Sequence, residues 1–259
     1  MYPTDPRVLA LDFDGVICDG MIEYFQTSQR TYTAIWNGTI PPEVAPRFYQ
    51  LRPVIETGWE MPLLLRAIAL GFTDEEILDR WPAIARDLLI KENLDKKRLS
   101  RELDGVRDRW IAEDLEGWLD LHRFYPGVID RLSELLHSDT AIYIITTKES
   151  RFVKRLLQKV GIYFPDDRLF GKEVNRPKYA TIRGILANTG ALPCDFWFVE
   201  DRLEALELVR GQEDLADVRL FLADWGYNTA RTRDSIRGDS RIRLLTLERF
   251  TGDFPDRAG

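Results

Sequence analysis

Short apolar runs recur along the sequence and predict buried strands. The first run, Val8 to Leu11, contains no polar residue and is too short to form a helix. A continuous apolar run of this kind is typical of a strand that is covered on both faces, as in a parallel sheet. Similar runs follow later in the chain, at residues 141–145, 196–199, 218–222 and 242–245.

Helical patterns separate several of these runs. Apolar residues fall on one helix face in residues 127–136 and 150–160, and a further helix ends near Gly211. Strands that alternate with helices predict an α/β fold, with a Rossmann-like parallel sheet core and helices on both faces. In such sheets ligands bind beyond the carboxyl ends of the strands, so functional residues are expected there.

Residues 19–121 follow a different pattern, because they show helical periodicity and no convincing buried strand. The predicted helices cover residues 61–70, 74–80, 82–91 and 95–121. We therefore expect a discontinuous core, residues 1–18 and 122–259, with residues 19–121 inserted as an α-helical cap domain. Insertion directly after the first strand favours a lid over the strand ends, and a stabilising appendage is the alternative.

Composition and charge narrow the classes of partner. The formal net charge of −7 argues against broad binding of nucleic acid or of an anionic membrane, since both need a basic field. No apolar run approaches the roughly 18 residues of a membrane-spanning helix. The N-terminus also lacks a basic segment followed by an apolar one, so we expect a cytoplasmic protein.

Cysteine and histidine are too scarce for two kinds of site. The chain has two cysteines, Cys18 and Cys194, and two histidines, His122 and His137. These numbers argue against a disulfide framework and against a histidine-rich zinc centre. We expect both cysteines to be small buried residues and both histidines to lie at the surface or at helix ends.

Two aspartates stand at the end of the first predicted strand. Asp12 and Asp14 occur in the string LDFDGV, where an extended backbone points both carboxylates to the same side. Like charges so close are costly unless a cation or a shared proton compensates. A catalytic or metal-binding pair is one interpretation, and two loop aspartates that cap local N–H groups are the other.

Three further features lie at the ends of later elements. Thr146 follows the run AIYII, where its hydroxyl either helps to hold an anion at a helix N-terminus or simply caps that helix. Lys178 comes just before a predicted helix. It is either part of a functional site at the end of an element or an ordinary exposed lysine. Glu200 and Asp201 close the run FWFV, and their alternative role is to cap the next helix.

Taken in order, these strings resemble the four signature motifs of the haloacid dehalogenase superfamily. The matching pieces are LDFDGV, IITTK, a lysine shortly before a helix, and FVED. The flanking strings YPGV (residues 125–128) and DWGY (residues 224–227) are similar to those of phosphoglycolate phosphatase-like members. The resemblance covers residues 7–19 and the chain from about residue 122 onward, while the insert matches only in position and helical character.

The resemblance implies a role for each residue. Asp12 matches the nucleophile that forms an aspartyl-phosphate, and Asp14 matches the general acid and base. Thr146 matches the hydroxyl that binds a phosphoryl oxygen, and Lys178 matches the ammonium that neutralises this oxygen and steadies Asp12. Asp201 matches the acid that holds Mg²⁺ together with the Asp12 carboxylate and the Asp14 backbone carbonyl.

The fourth motif departs from the commonest pattern of the family. Glu200 replaces the usual glycine, and Ala205 stands at the later acidic position. The paired-acid form is also known in the superfamily, so metal binding is still expected, and the part played by Glu200 or Glu204 is left open. The presence of both Asp14 and Asp201 favours phosphatase or phosphomutase chemistry over dehalogenation.

The expected function is that of a Mg²⁺-dependent phosphatase for a small phosphorylated metabolite. A phosphomutase acting on a sugar phosphate is the first alternative, and a non-catalytic member that binds a phosphometabolite is the second. A receiver-like signalling domain is disfavoured, because its acceptor aspartate lies on a later strand. In the insert, Leu51 to Met61 is either a polar recognition loop or, as we favour, a turn between helices.

Overall fold

The computed structural model describes residues 6–252 and 254, and the chain divides into two compact units. The first unit comprises residues 1–19 and 123–259, and the second comprises residues 20–122. Among the described residues, no helix combines the length and the apolar character that crossing a bilayer requires. That residues 20–122 act as a lid stays a prediction.

A parallel sheet forms the centre of the first unit. Six strands pair in the order β5-β4-β1-β6-β7-β8, and all neighbours are parallel, while β2 and β3 form a separate antiparallel pair. The strands are, in chain order, β1 (Val8–Leu11), β2 (Cys18–Asp19), β3 (Arg123–Phe124), β4 (Ala141–Ile145), β5 (Leu169–Phe170), β6 (Phe196–Glu200), β7 (Arg219–Ala223) and β8 (Ile242–Leu245).

The central strand β1 is buried along its whole length. Val8 and Ala10 belong to one apolar cluster with Ile182 and Phe198, and the alternation of side chains along a strand turns Leu9 and Leu11 to the opposite face. Both faces are therefore covered, as the continuous apolar run predicts. The α/β fold with a parallel sheet is confirmed, and the five predicted strands all form.

The second unit is helical. Its helices are α1 (Met21–Trp36), α2 (Ala45–Leu51), α3 (Glu60–Ala69), α4 (Asp74–Lys91), α5 (Lys96–Glu113) and α6 (Leu115–Leu119). The helices of the first unit are α7 (Val128–Leu136), α8 (Ser150–Lys159), α9 (Lys178–Thr189), α10 (Leu203–Arg210), α11 (Ala230–Ser235) and α12 (Leu247–Thr251). Short 3₁₀ turns lie at Pro42–Val44, Arg52–Val54, Asp166–Arg168, Lys172–Val174, Pro193–Asp195 and Glu213–Leu215.

One helix prediction needs correction, and another is confirmed by a kink. The helix predicted over residues 95–121 is interrupted at Asp114, whose φ of −151° and ψ of 75° leave the helical region. Its carboxylate instead accepts a hydrogen bond of 2.8 Å from the Gly117 amide and begins α6. The helices predicted at 74–80 and 82–91 are the two parts of α4, which are separated by a kink at Arg80, where φ is −129° and ψ is 17°, just before Pro82.

Side-chain burial corrects two further expectations. Cys18 is buried as predicted, but Cys194 is only half-buried in the turn before β6. His137 is exposed at the end of α7, as predicted. His122 is buried rather than at the surface, because its ring packs edge-on against Trp118 with a centroid distance of 4.6 Å.

The segment Leu51–Met61 is a turn between helices that is held by hydrogen bonds to Glu60. The buried Glu60 carboxylate accepts hydrogen bonds of 2.7 Å from the amides of Glu56 and Thr57. Its other oxygen accepts a hydrogen bond of 3.1 Å from the indole of Trp81. These contacts favour the helix-helix turn, because they commit the Glu60 carboxylate to the packing of the second unit.

A buried carboxylate joins three helices of the second unit. Glu23 of α1 is fully buried, and the Arg107 guanidinium of α5 donates to its two oxygens at 2.8 and 3.2 Å. Thr27 and the Trp118 indole of α6 donate at 2.6 and 3.1 Å. Although burial acts to lower the pKa of Arg107, the Glu23 carboxylate raises it above its ordinary value. The charge is therefore paired and fully hydrogen-bonded.

We expect Glu23→Gln to destabilise the second unit by about 3 kcal/mol, because it leaves a largely buried guanidinium without its counter-charge. Faster hydrogen exchange of the α1 and α5 amides measures the effect. The control is Asp74→Asn, which breaks the more exposed pair with Arg47 and should cost no more than about 1 kcal/mol. Equal exchange rates in both variants would contradict a special role for the buried pair.

Candidate active site

Asp12 lies directly beyond the carboxyl end of β1. Its amide donates to the Val199 carbonyl at 2.9 Å, which extends the pairing of β1 with β6 by one residue. The residue is 7 % exposed, and its Oδ1 lies 2.9 Å from the Nζ of Lys178. The central position of β1 in the sheet therefore holds this carboxylate in a largely buried place.

Lys178 is the first residue of α9, and its ammonium lies between two carboxylates. Besides the contact with Asp12, its Nζ donates to Oε2 of Glu200 at 2.6 Å. Although burial acts to lower the pKa of Lys178, the carboxylates of Asp12 and Glu200 raise it above its ordinary value. The side chain is thus held as a cation, not exposed as a solvated lysine.

Glu200 and Asp201 follow at the end of β6, and both are 1 % exposed. The second oxygen of Glu200 accepts hydrogen bonds of 3.1 Å from the amides of Asp201 and Arg202. Asp201 accepts a hydrogen bond of 2.7 Å from the Tyr227 amide, and the Asn228 side chain donates to the Asp201 carbonyl at 2.9 Å. The string DWGY thus lies beside the fourth motif in space.

Three buried acids form one cluster. Asp12, Glu200 and Asp201 each offer a carboxylate oxygen, and these oxygens lie within 4.8 Å of one another. Burial, followed by the charge of Glu200, raises the pKa of Asp12 to about 7, although Lys178 opposes the rise. Burial also raises the pKa of Glu200. One cation does not fully offset three buried carboxylates.

The cluster suits a divalent cation with oxygen ligands. Hard cations such as Mg²⁺ bind carboxylate oxygens, and the buried Asp12 Oδ1 has no well-aligned hydrogen bond. The oxygens of Glu200 are already engaged by Lys178 and by two amides. Asp12 and Asp201 are therefore the acids that best fit a metal. Glu204 is outside the cluster, on an exposed helix position paired with Arg202.

The Asp14 carboxylate is separate from this cluster and contacts a residue that the sequence did not single out. Nζ of Lys148 donates to its two oxygens at 3.1 and 3.4 Å. Lys148 is the last residue of the string IITTK, so the signal was its place two residues after Thr146. That the Asp14 backbone carbonyl ligates a metal stays a prediction.

Thr146 lies at the carboxyl end of β4, the neighbour of β1. Its amide donates to the Phe170 carbonyl at 2.9 Å, and its hydroxyl accepts a hydrogen bond of 3.2 Å from the Lys148 amide. The expectation that it stands at a helix N-terminus was wrong, because α8 begins only at Ser150. Thr146 and Lys178 also line one cavity of about 370 Å³ in the first unit, with the cationic side chains Lys172 and Arg176.

Two glycines make room for Asp201. A Cβ atom at Gly15, where φ is +86°, would come within 2.2 Å of an Asp201 carboxylate oxygen. A Cβ atom at Gly226 would lie 2.2 Å from the Asp201 Cβ and 2.5 Å from the Gly15 carbonyl oxygen. The loops after β1 and β7 thus close tightly around this acid.

We expect Gly226→Ala to weaken binding of Mg²⁺ by about 10-fold or more, because the added methyl group must displace Asp201. Isothermal titration calorimetry with Mg²⁺ measures the loss. Gly211→Ala is the matched control, since a Cβ there meets its nearest atom at an ordinary 3.5 Å. Unchanged affinity in the Gly226 variant would show that the position of Asp201 does not govern cation binding.

Comparison with known proteins places this geometry in a family. A family model described as haloacid dehalogenase-like hydrolase matches residues 72–208. This range includes Thr146, Lys178 and Asp201 and begins after Asp12 and Asp14. Phosphoglycolate phosphatase 1 of Pseudomonas aeruginosa is 30% identical in an alignment of 144 residues that covers 51% of each chain, so the match spans about half the length of this curated relative.

Solved structures agree in fold. A predicted phosphatase from Clostridium acetobutylicum aligns with a TM-score of 0.60 and 13% identity over 95% of this chain and 97% of that one. A predicted phosphoglycolate phosphatase from Haemophilus somnus aligns with a TM-score of 0.61 and 13% identity over 93% and 94% of the two chains. At these identities the likeness shows the fold alone. The family match spans more than half of the sequence and contains three of the motif residues, and the chain belongs to the haloacid dehalogenase-like hydrolases.

Proposed function

We propose that this protein is a Mg²⁺-dependent phosphatase that hydrolyses a small phosphorylated metabolite through an aspartyl-phosphate at Asp12. The observation that carries the proposal is the Lys178 ammonium, 2.9 Å from Asp12 and 2.6 Å from Glu200, beside a buried cluster of acids. A nucleophilic carboxylate, a fixed cation and a set of oxygen ligands are the parts that transfer of a phosphoryl group requires.

Lys178 has two tasks in this mechanism. Asp12 must be ionised to attack phosphorus, and burial with a neighbouring carboxylate opposes ionisation by raising its pKa to about 7. The ammonium of Lys178 counteracts that rise. The same charge offsets the repulsion between the anionic Asp12 and an anionic phosphate ester, and it stabilises the negative charge on the transferring group.

Asp12 and Asp201 would hold Mg²⁺, together with the Asp14 backbone carbonyl that the family resemblance implies. When bound, Mg²⁺ supplies positive charge for the phosphoryl oxygens. Glu200 keeps Lys178 in place through its Oε2 and keeps the following turn in place through its Oε1. The role of Glu200 in this proposal is therefore to hold Lys178, not to bind the metal directly.

The reaction proceeds in two displacements at phosphorus. In the first, an Asp12 oxygen forms a bond to phosphorus, the bond to the leaving oxygen breaks, and Asp14 gives its proton to that oxygen. In the second, Asp14 takes a proton from water, whose oxygen bonds to phosphorus while the bond to Asp12 breaks. Inorganic phosphate leaves, and the Thr146 hydroxyl donates to a phosphoryl oxygen throughout.

The substrate class follows from charge and from the curated relative. A net charge of −7 disfavours nucleic acid, so a small anion met by local cations is the partner that we propose, in a cytoplasmic setting. The relative from Pseudomonas aeruginosa is named a phosphoglycolate phosphatase, which makes phosphoglycolate the first compound to assay. Sugar phosphates and nucleoside monophosphates complete the panel.

We expect the purified protein to release phosphate from at least one member of this panel with Mg²⁺ and to lose the activity when the metal is chelated. Asp12→Asn should lower kcat by at least about 10³-fold, because it removes the nucleophile. Asp217→Asn, at an exposed position, is the matched control and should retain full activity. Full activity of Asp12→Asn would contradict the proposed mechanism. Isomerisation of a sugar phosphate without phosphate release would identify a mutase instead.

A further inference from the structure

We propose that Lys148 is a positioning residue that holds the Asp14 carboxyl group in the orientation needed to exchange protons with the leaving group. This inference rests on the proposed phosphatase function, since it assigns a task to a side chain of the same site. Lys148 acts through Asp14 and does not itself form a bond to the substrate.

The contact is specific and shielded from solvent. Nζ of Lys148 lies 3.1 Å from one oxygen of Asp14 and 3.4 Å from the other, so it restrains rotation of the carboxyl group. The Lys148 side chain is 8 % exposed and the Asp14 side chain is 16 % exposed. A pair at this depth is screened less by water and salt than an ordinary surface pair, so it can define a single side-chain position.

The backbone around Lys148 is held at both ends. Its amide donates to the Thr146 hydroxyl at 3.2 Å, and its carbonyl accepts a hydrogen bond of 2.9 Å from the Lys172 amide. The turn after β4 is therefore fixed to the strand end on one side and to the turn after β5 on the other. From this turn the lysine side chain extends to Asp14, which follows β1, the strand paired with β4.

This geometry matters most when the leaving oxygen needs a proton. A misplaced catalytic group can cost about 10²-fold in rate, and general acid catalysis contributes about 10²-fold to 10⁴-fold. An activated leaving group, such as p-nitrophenolate, departs without protonation. Phenolate is far more basic, with a conjugate acid of pKa about 10 as in tyrosine, and therefore depends on the acid. The two esters have closely similar shapes.

The test compares phenyl phosphate with p-nitrophenyl phosphate as substrates of the 259-residue protein with Mg²⁺. The measured quantity is kcat/KM, because it covers only the steps up to departure of the leaving group. Lys148→Met should lower kcat/KM for phenyl phosphate by about 10-fold to 100-fold and that for p-nitrophenyl phosphate by less than about 3-fold. Lys148→Arg, which keeps the charge near both Asp14 oxygens, should recover most of the loss on phenyl phosphate.

The matched control is Lys154→Met, which removes a lysine from a 2.7 Å ion pair with the exposed Asp166 on the same part of the chain. It should change neither value. Equal losses on both esters in Lys148→Met would overturn the inference, because they would mean that Lys148 binds the phosphoryl group or supports the fold. No loss on phenyl phosphate would overturn it as well.

An unfolded variant or an inactive wild-type protein would each make the comparison ambiguous, so both cases need a defined outcome. If Lys148→Met is unfolded by circular dichroism, Lys148→Gln takes its place and the same inequality between the two esters is required. Wild-type protein that hydrolyses neither ester, nor any compound of the metabolite panel, would overturn the phosphatase proposal itself. Wild-type activity on both esters with no inequality in the variant would overturn only the role of Lys148.

Discussion

The site depends on one ion-paired side chain, Lys178, because its ammonium offsets the mutual repulsion and the burial cost of a group of carboxylates. Asp12 and Glu200 each lie within 3 Å of its Nζ, and Asp201 completes the cluster. Without that cation, burial and mutual repulsion would favour the protonated acids and so remove the carboxylate that we propose as the nucleophile. The arrangement still leaves an excess of negative charge, and this excess is what makes the site suited to a divalent cation.

The sheet creates the candidate site by bringing together strand ends that are far apart in sequence. β1 lies between β4 and β6, so the residues that follow these three strands meet at one edge. Asp12 and Asp14 follow β1, Thr146 follows β4, and Asp201 follows β6. The turns beyond β1 and β7 then lie so close to Asp201 that a Cβ atom at Gly15 or at Gly226 would come within 2.2 Å of it.

Much of this was readable from the sequence, because short apolar runs mark buried strands and the acids stand directly after them. Lys148 was missed, because its place two residues after Thr146 marks it as close to the site but gives no sign of the carboxylate that it contacts. The same holds for His122, whose burial depends on Trp118, and for the break at Asp114, which depends on a side-chain cap. Helix α1 was also missed, because Gly20 gives no capping side chain at its start.

The most direct test of the account is to find the covalent intermediate. Turnover of p-nitrophenyl phosphate with Mg²⁺ is stopped with acid, and the protein is digested with pepsin at low pH, where an acyl phosphate survives. The peptide that contains Asp12 is then sequenced by mass spectrometry. Asp14→Asn is used in parallel, because it should slow hydrolysis of the intermediate and let it accumulate. We predict a phosphoryl group on Asp12 in this peptide. A phosphoryl group on another residue, or none in either protein during turnover, would contradict it.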